Sequence, residues 1–90
     1  MTKKFTVQWT EQALDSLEDT LSKIIEKWNY QIAKEFDNEV KKMISRLENN
    51  SKLCPPSKKK KIRKCVIHKN TSLVYRIKKS NIELITFVDN

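Results

Sequence analysis

Lys64, His68, Lys69 and Arg76 fall in one short C-terminal stretch. They supply the side-chain types that RNA cleavage by 2′-hydroxyl attack on the adjacent phosphate requires: a proton acceptor, a proton donor, and cations for the phosphorane-like charge. Lys64, His68 and Arg76 are the catalytic candidates under that chemistry, with His68 as general acid or base because histidine titrates near neutral pH. A second set, Lys58, Lys59, Lys60 and Lys61 followed by Arg63 and Lys64, suits phosphate contacts that release counterions. With Lys69 and Arg76 it forms the candidate surface for nucleic acid or another target. Each feature also has a plainer reading. A lysine run is commonly a solvated loop, a histidine in a polar turn is commonly a turn residue, and Tyr75 beside Arg76 suits a core or sheet-face position.

Other chemistries are poorly supplied. Cys54, Cys65 and His68 give a C-x10-C-x2-H spacing, which offers three ligands and no paired CxxC, so neither a metal nor a cofactor is expected. Cys65 and His68, at i and i+3 on a strand, should point to opposite faces, which disfavours a thiolate nucleophile. The chain has no glycine, and so no glycine-rich phosphate loop. The two cysteines are expected to be free thiols, because the chain reads as cytoplasmic and that compartment is reducing. That reading rests on the N-terminus, where Lys3 and Lys4 precede an alternating segment rather than an apolar run. No stretch approaches the roughly 20 apolar residues of a membrane span.

These candidates must be positioned by a small scaffold. Ninety residues, 38% apolar and 33% charged, allow one domain over 1–90 with one modest core. The net charge of +8 is uneven: residues 1–50 hold eight Lys and Arg against nine Asp and Glu, whereas residues 51–90 hold eleven against two. The basic half is therefore the half that carries the candidates, and it suits nucleic acid, an acidic partner, or both.

Phe5, Val7 and Trp9 alternate with Thr6, Gln8 and Thr10, the period of a half-buried strand. Thr10 is a natural helix cap with Glu11 just inside. Leu14, Leu17, Leu21, Ile24, Ile25 and Trp28 then form one helical stripe, and Ile32, Phe36, Val40, Met43, Ile44 and Leu47 a second. The join at Asn29-Tyr30-Gln31 lacks Gly and Pro. It is compatible with one bent helix, but a hairpin is favoured because both stripes need a common surface. Trp9, Trp28 and Phe36 are expected in the core.

Pro55 and Pro56 end helical structure. Three β-rich runs follow, Ile62–Ile67, Leu73–Ile77 and Ile82–Val88, joined by short polar connectors that suit an antiparallel meander. Asn70 and Asn81 are the expected left-handed turn residues. The fold class is α+β, in the order β-α-α-β-β-β, with a helical hairpin on one face of a small, mainly antiparallel sheet.

That order, with three motifs, resembles the RelE/ParE toxin superfamily over nearly the whole chain. The motifs are Val7-Gln8-Trp9-Thr10-Glu11-Gln12-Ala13, the segment from Ile67 through Leu73-Val74-Tyr75-Arg76 to Ile77, and the closing run Ile82 to Asn90. The resemblance implies a type II toxin that arrests growth and is wrapped by a cognate antitoxin, in a complex that represses its own operon. It also implies one of two targets. RelE-like members are ribosome-dependent mRNA endoribonucleases, whereas ParE-like members poison DNA gyrase. The nuclease branch usually places Arg, Tyr or His groups after the last strand and often has arginine where this chain has Ser72. The ParE-like branch is therefore favoured, with a metal-independent endoribonuclease as the alternative. A non-toxic nucleic-acid-binding or antitoxin-sequestering module is the third. An apolar groove or open sheet edge awaiting the antitoxin leaves homodimerisation open in its absence.

Overall fold

The alternating segment near the N-terminus becomes strand β1 (Thr6–Trp9), and the two stripes become helices α1 (Glu11–Lys27) and α2 (Tyr30–Asn49). Strands β2 (Arg63–His68), β3 (Thr71–Lys78) and β4 (Asn81–Asp89) complete the expected order. This computed structural model describes residues 4–58, 61–68 and 70–89. Lys59, Lys60 and Lys69, three of the candidate cations, lie outside the described residues.

The hairpin forms because both helices are capped by side chains. The Thr10 hydroxyl accepts from the Ala13 amide at 3.1 Å and donates to the Leu84 carbonyl at 2.7 Å, tying the start of α1 to β4. Asn29 is extended and accepts from the Ile32 amide at 2.9 Å. Asparagine at an N-cap satisfies an otherwise orphaned helix donor. That cap ends the one-helix alternative without Gly or Pro.

The sheet is mixed, in the order β1-β4-β3-β2. β2, β3 and β4 form the expected antiparallel meander, and β1 pairs in parallel with β4. The parallel pair is possible because the helical hairpin carries the chain back across the sheet between β1 and the meander. Ala13, Phe36, Val40, Leu47, Cys65, Leu73, Tyr75, Ile82, Leu84 and Phe87 fill the layer between hairpin and sheet. Ala13 is fully buried, so α1 approaches β4 too closely for a larger side chain. Trp9 stacks on Phe87 with centroids 6.0 Å apart. Burying each large apolar side chain contributes about 1.5–3 kcal/mol. Where β3 and β4 slip register at Val74/Tyr75, the Phe87 amide donates to the Ser16 hydroxyl at 2.9 Å, so α1 pairs a backbone group in the irregular region.

Four expectations are corrected. Trp28 is 65% exposed and not in the core, because it is the C-cap of α1 at the hairpin tip. Trp9 and Phe36 do pack into the core. Lys79, with φ 58°, takes the left-handed position in the β3–β4 turn, and Asn81 already belongs to β4. Cys54 and Cys65 form a disulfide, so they are not free thiols. A bulge between Val66 and His68 breaks the strand alternation that set His68 opposite Cys65.

Candidate functional site

Two surfaces collect the exposed groups of interest. The first is a groove at the hairpin tip, about 400 Å³, with Ile24, Trp28, Ile32 and Phe36 on the helical side and Ile67, His68 and Thr71 on the sheet side. Glu35 and Glu39 of α2 form an acidic rim. A second cavity of about 450 Å³ continues past Trp28 toward Lys23, Lys27 and Asp89. Asp19, 3.1 Å from Lys23, raises that ammonium above its ordinary pKa, with a smaller contribution from Asp89. The groove thus has an apolar floor, an acidic side and a mixed-charge end. Trp28 at 65% exposure and Ile32 at 40% are the groove's most exposed apolar side chains. A contiguous exposed apolar patch of this kind marks an interaction site more often than isolated surface residues do.

The second surface is the sheet face away from the helices. Cys65, Leu73, Tyr75 and Leu84 point into the core, so their neighbours Lys64, Val74, Arg76 and Glu83 face outward. Lys64 lies opposite Val74, and Arg76 opposite Glu83. Arg76 Nε donates to Glu83 Oε1 at 2.6 Å, a cross-strand ion pair. Lys58 and Lys61 are exposed in the loop leading to β2.

The candidates are therefore only partly gathered. Lys64 and Arg76 share the open face as diagonal neighbours, about 7–8 Å apart by ordinary antiparallel geometry. His68 lines the groove on the helical side. Arg63 turns toward the loop, where its guanidinium donates to the Cys54 carbonyl at 2.7 Å and stands close enough to influence Tyr75. Tyr75 is wholly buried, and its hydroxyl donates to the Ser51 carbonyl at 2.7 Å. Burial pushes that phenol above its ordinary pKa against the opposing pulls of the Cys54 backbone and Arg63.

Three features escaped sequence reasoning. Glu83 as partner of Arg76 was detectable, since residues 51–90 hold only two acidic side chains, Glu83 and Asp89. The exposure of Trp28 had a weaker signal, its place at the end of a stripe beside a capping asparagine. Nothing in the sequence marked Ser16, because its role depends on a register slip in a distant strand pair.

A helical hairpin on one face of a four-stranded mixed sheet, with a groove at its tip, defines a class of small α+β folds. Residues 7–89 match the family described as the ParE toxin of the type II toxin–antitoxin system, parDE, and the chain belongs to that family. It is thus a ParE-like toxin of the type II class. Among solved structures it is similar to the chromosomal ParDE toxin–antitoxin system from P. aeruginosa, at 14% identity and TM-score 0.84, covering 97% of each chain. It also resembles the YoeB dimer from Staphylococcus aureus, at 12% identity and TM-score 0.65, covering 92% of this chain and 93% of that one. A third is the E. coli DinJ-YafQ toxin–antitoxin complex, at 15% identity and TM-score 0.62, covering 96% and 92%. No curated protein sequence matches the chain. Among the described residues no helix is long and apolar enough to cross a membrane.

Proposed function

We propose that this toxin acts on DNA gyrase and is held inactive by a cognate antitoxin whose apolar segment occupies the groove at Trp28. The observation that carries the target reading is the dispersal of the candidate nuclease groups. His68 stands at the groove, Lys64 lies on the open face, and Arg76 is engaged by Glu83 at 2.6 Å. An RNA-cleaving centre needs acid, base and phosphate-binding cations around one phosphate. A surface that binds and poisons a protein target has no such requirement. The open face then acts by contact, with Lys64 as its exposed cation and Lys58 and Lys61 exposed in the loop before β2. The antitoxin reading is supported by the large exposed Trp28 over a groove of apolar floor and acidic rim.

The alternative, a RelE-like mRNA endoribonuclease, is favoured by one observation: Lys64 and Arg76 share a face, as two phosphate-binding groups would. Pulse incorporation of labelled thymidine and labelled amino acid after controlled induction in growing bacteria separates the two. The gyrase reading expects DNA synthesis to fail first. An earlier collapse of protein synthesis would reject it in favour of the nuclease, whose active residues would then have to be gathered on the ribosome.

A further inference from the structure

On the sheet face away from the helices the charges are unevenly matched. Lys64 and Arg76 share it, and Lys78, exposed at the end of β3 and two residues beyond Arg76, falls on the same side. Residues 51–90 hold only two carboxylates, Glu83 and Asp89. Asp89 lies on the helical side, where it borders the second cavity with Lys23 and Lys27. Among the described residues, Glu83 is therefore the one carboxylate that the basic half places on the open face. It is bonded to Arg76, Nε to Oε1 at 2.6 Å.

The strand register fixes that choice of partner. Glu83 lies between Arg76 of β3 on one flank and Gln8 of β1 on the other, so its cross-strand neighbours are one cation and one uncharged amide. The Arg76 side chain is 43% exposed and that of Glu83 25%, so a ligand on this face would meet the two together. An exposed pair of this kind adds little to fold stability. Its larger effect is on what the guanidinium can meet. A phosphate nearing Arg76 encounters a carboxylate of its own sign, already holding a short charge-assisted bond.

We propose that Glu83 is a specificity-determining residue that closes Arg76 to the phosphates of single-stranded RNA, and so keeps this basic face from binding RNA. Specificity of this sort comes from a built-in repulsive element and not from an added attraction. Lys64 and Lys78 flank Arg76, but a lysine ammonium is a hydrated point charge without the planar fork that grips a phosphate at two points. The inference rests on the reading that the open face meets a protein target and not RNA, and it names the residue that makes this distinction.

The test is binding of a labelled single-stranded oligouridylate to the full chain, followed by fluorescence anisotropy across a salt series. Glu83→Gln should tighten binding by about fivefold at low salt and steepen the salt dependence by about 0.7, one further phosphate neutralised on a single strand. Adding Arg76→Ala to that variant should return both quantities to the parent's. Asp89→Asn, which raises the net charge equally but on the helical side, should leave both unchanged. Glu83→Thr, which suits a strand, should repeat the gain and serves if the glutamine variant does not fold. Unchanged affinity and slope in folded Glu83 variants would overturn the proposal, as would a gain that survives the loss of Arg76 or appears equally in Asp89→Asn. None of these outcomes bears on gyrase, which the pulse labelling of cells expressing the parent chain tests separately.

Discussion

At the hairpin tip, Trp28 and its neighbours present apolar surface beside the carboxylates of Glu35 and Glu39, while the open face presents Lys64 and the Arg76–Glu83 pair, with Lys58 and Lys61 in the loop before β2. Binding at the tip draws on removing apolar area from water and resists salt. Binding at the open face draws on charge and weakens as salt rises. The two also differ in what holds them. The tip depends on two helix caps and on core contacts that Trp28 itself does not join, whereas the loop before β2 depends on the Cys54–Cys65 disulfide and on the bond from buried Tyr75 to Ser51. A single chain can therefore meet two partners by different physics, and substitutions at one surface should leave the other largely untouched.

The largest expected separation is at Trp28. Trp28→Ala should weaken antitoxin binding by about 2–4 kcal/mol, the range of an aromatic hot spot, with almost no change in unfolding temperature. Calorimetric titration beside a thermal melt checks both halves, and a large loss of stability would place Trp28 back among the structural residues. Next is Cys54→Ser, which should cost about 2–3 kcal/mol of unfolding free energy for a closed loop of this length. Its antitoxin affinity through the groove should match the parent when both are measured folded.

Thr10→Ala removes both the cap of α1 and its bond to Leu84, and should lower stability by about 1–2 kcal/mol in denaturant titration. The smallest change is Tyr75→Phe, about 1 kcal/mol near neutral pH for the lost bond to Ser51. Its pH dependence is more diagnostic. The folded phenol has a pKa above the ordinary 10.0, so its contribution is full below that value and is lost as pH rises through the raised folded one. The parent should lose stability in that alkaline window, and Tyr75→Phe should show a flatter curve.

Much of the architecture was legible because it is written in short-range pattern. The alternation of Phe5, Val7 and Trp9 and the two stripes fixed the element types, and Thr10 signalled its own cap. What escaped depends on partners distant in sequence. The parallel placement of β1 beside β4 and the Ser16 bond to Phe87 arise only when the sheet order is known. Trp28 misled because periodicity reports which face of a helix is apolar and not whether anything covers that face at its end. The cysteines misled because the expectation came from compartment, while the Arg63–Cys54 bond and the Pro55 contact bring the loop after α2 against β2. Lys64, His68 and Arg76 were recognisable as chemistry-bearing residues, but a one-residue bulge decided which face His68 would serve.

The most direct test of two separable surfaces is growth of bacteria induced for the Trp28→Ala chain with and without its co-expressed antitoxin. The account predicts that the variant remains toxic and that the antitoxin no longer rescues growth. Loss of toxicity in a folded variant, or full rescue by the antitoxin, would contradict it.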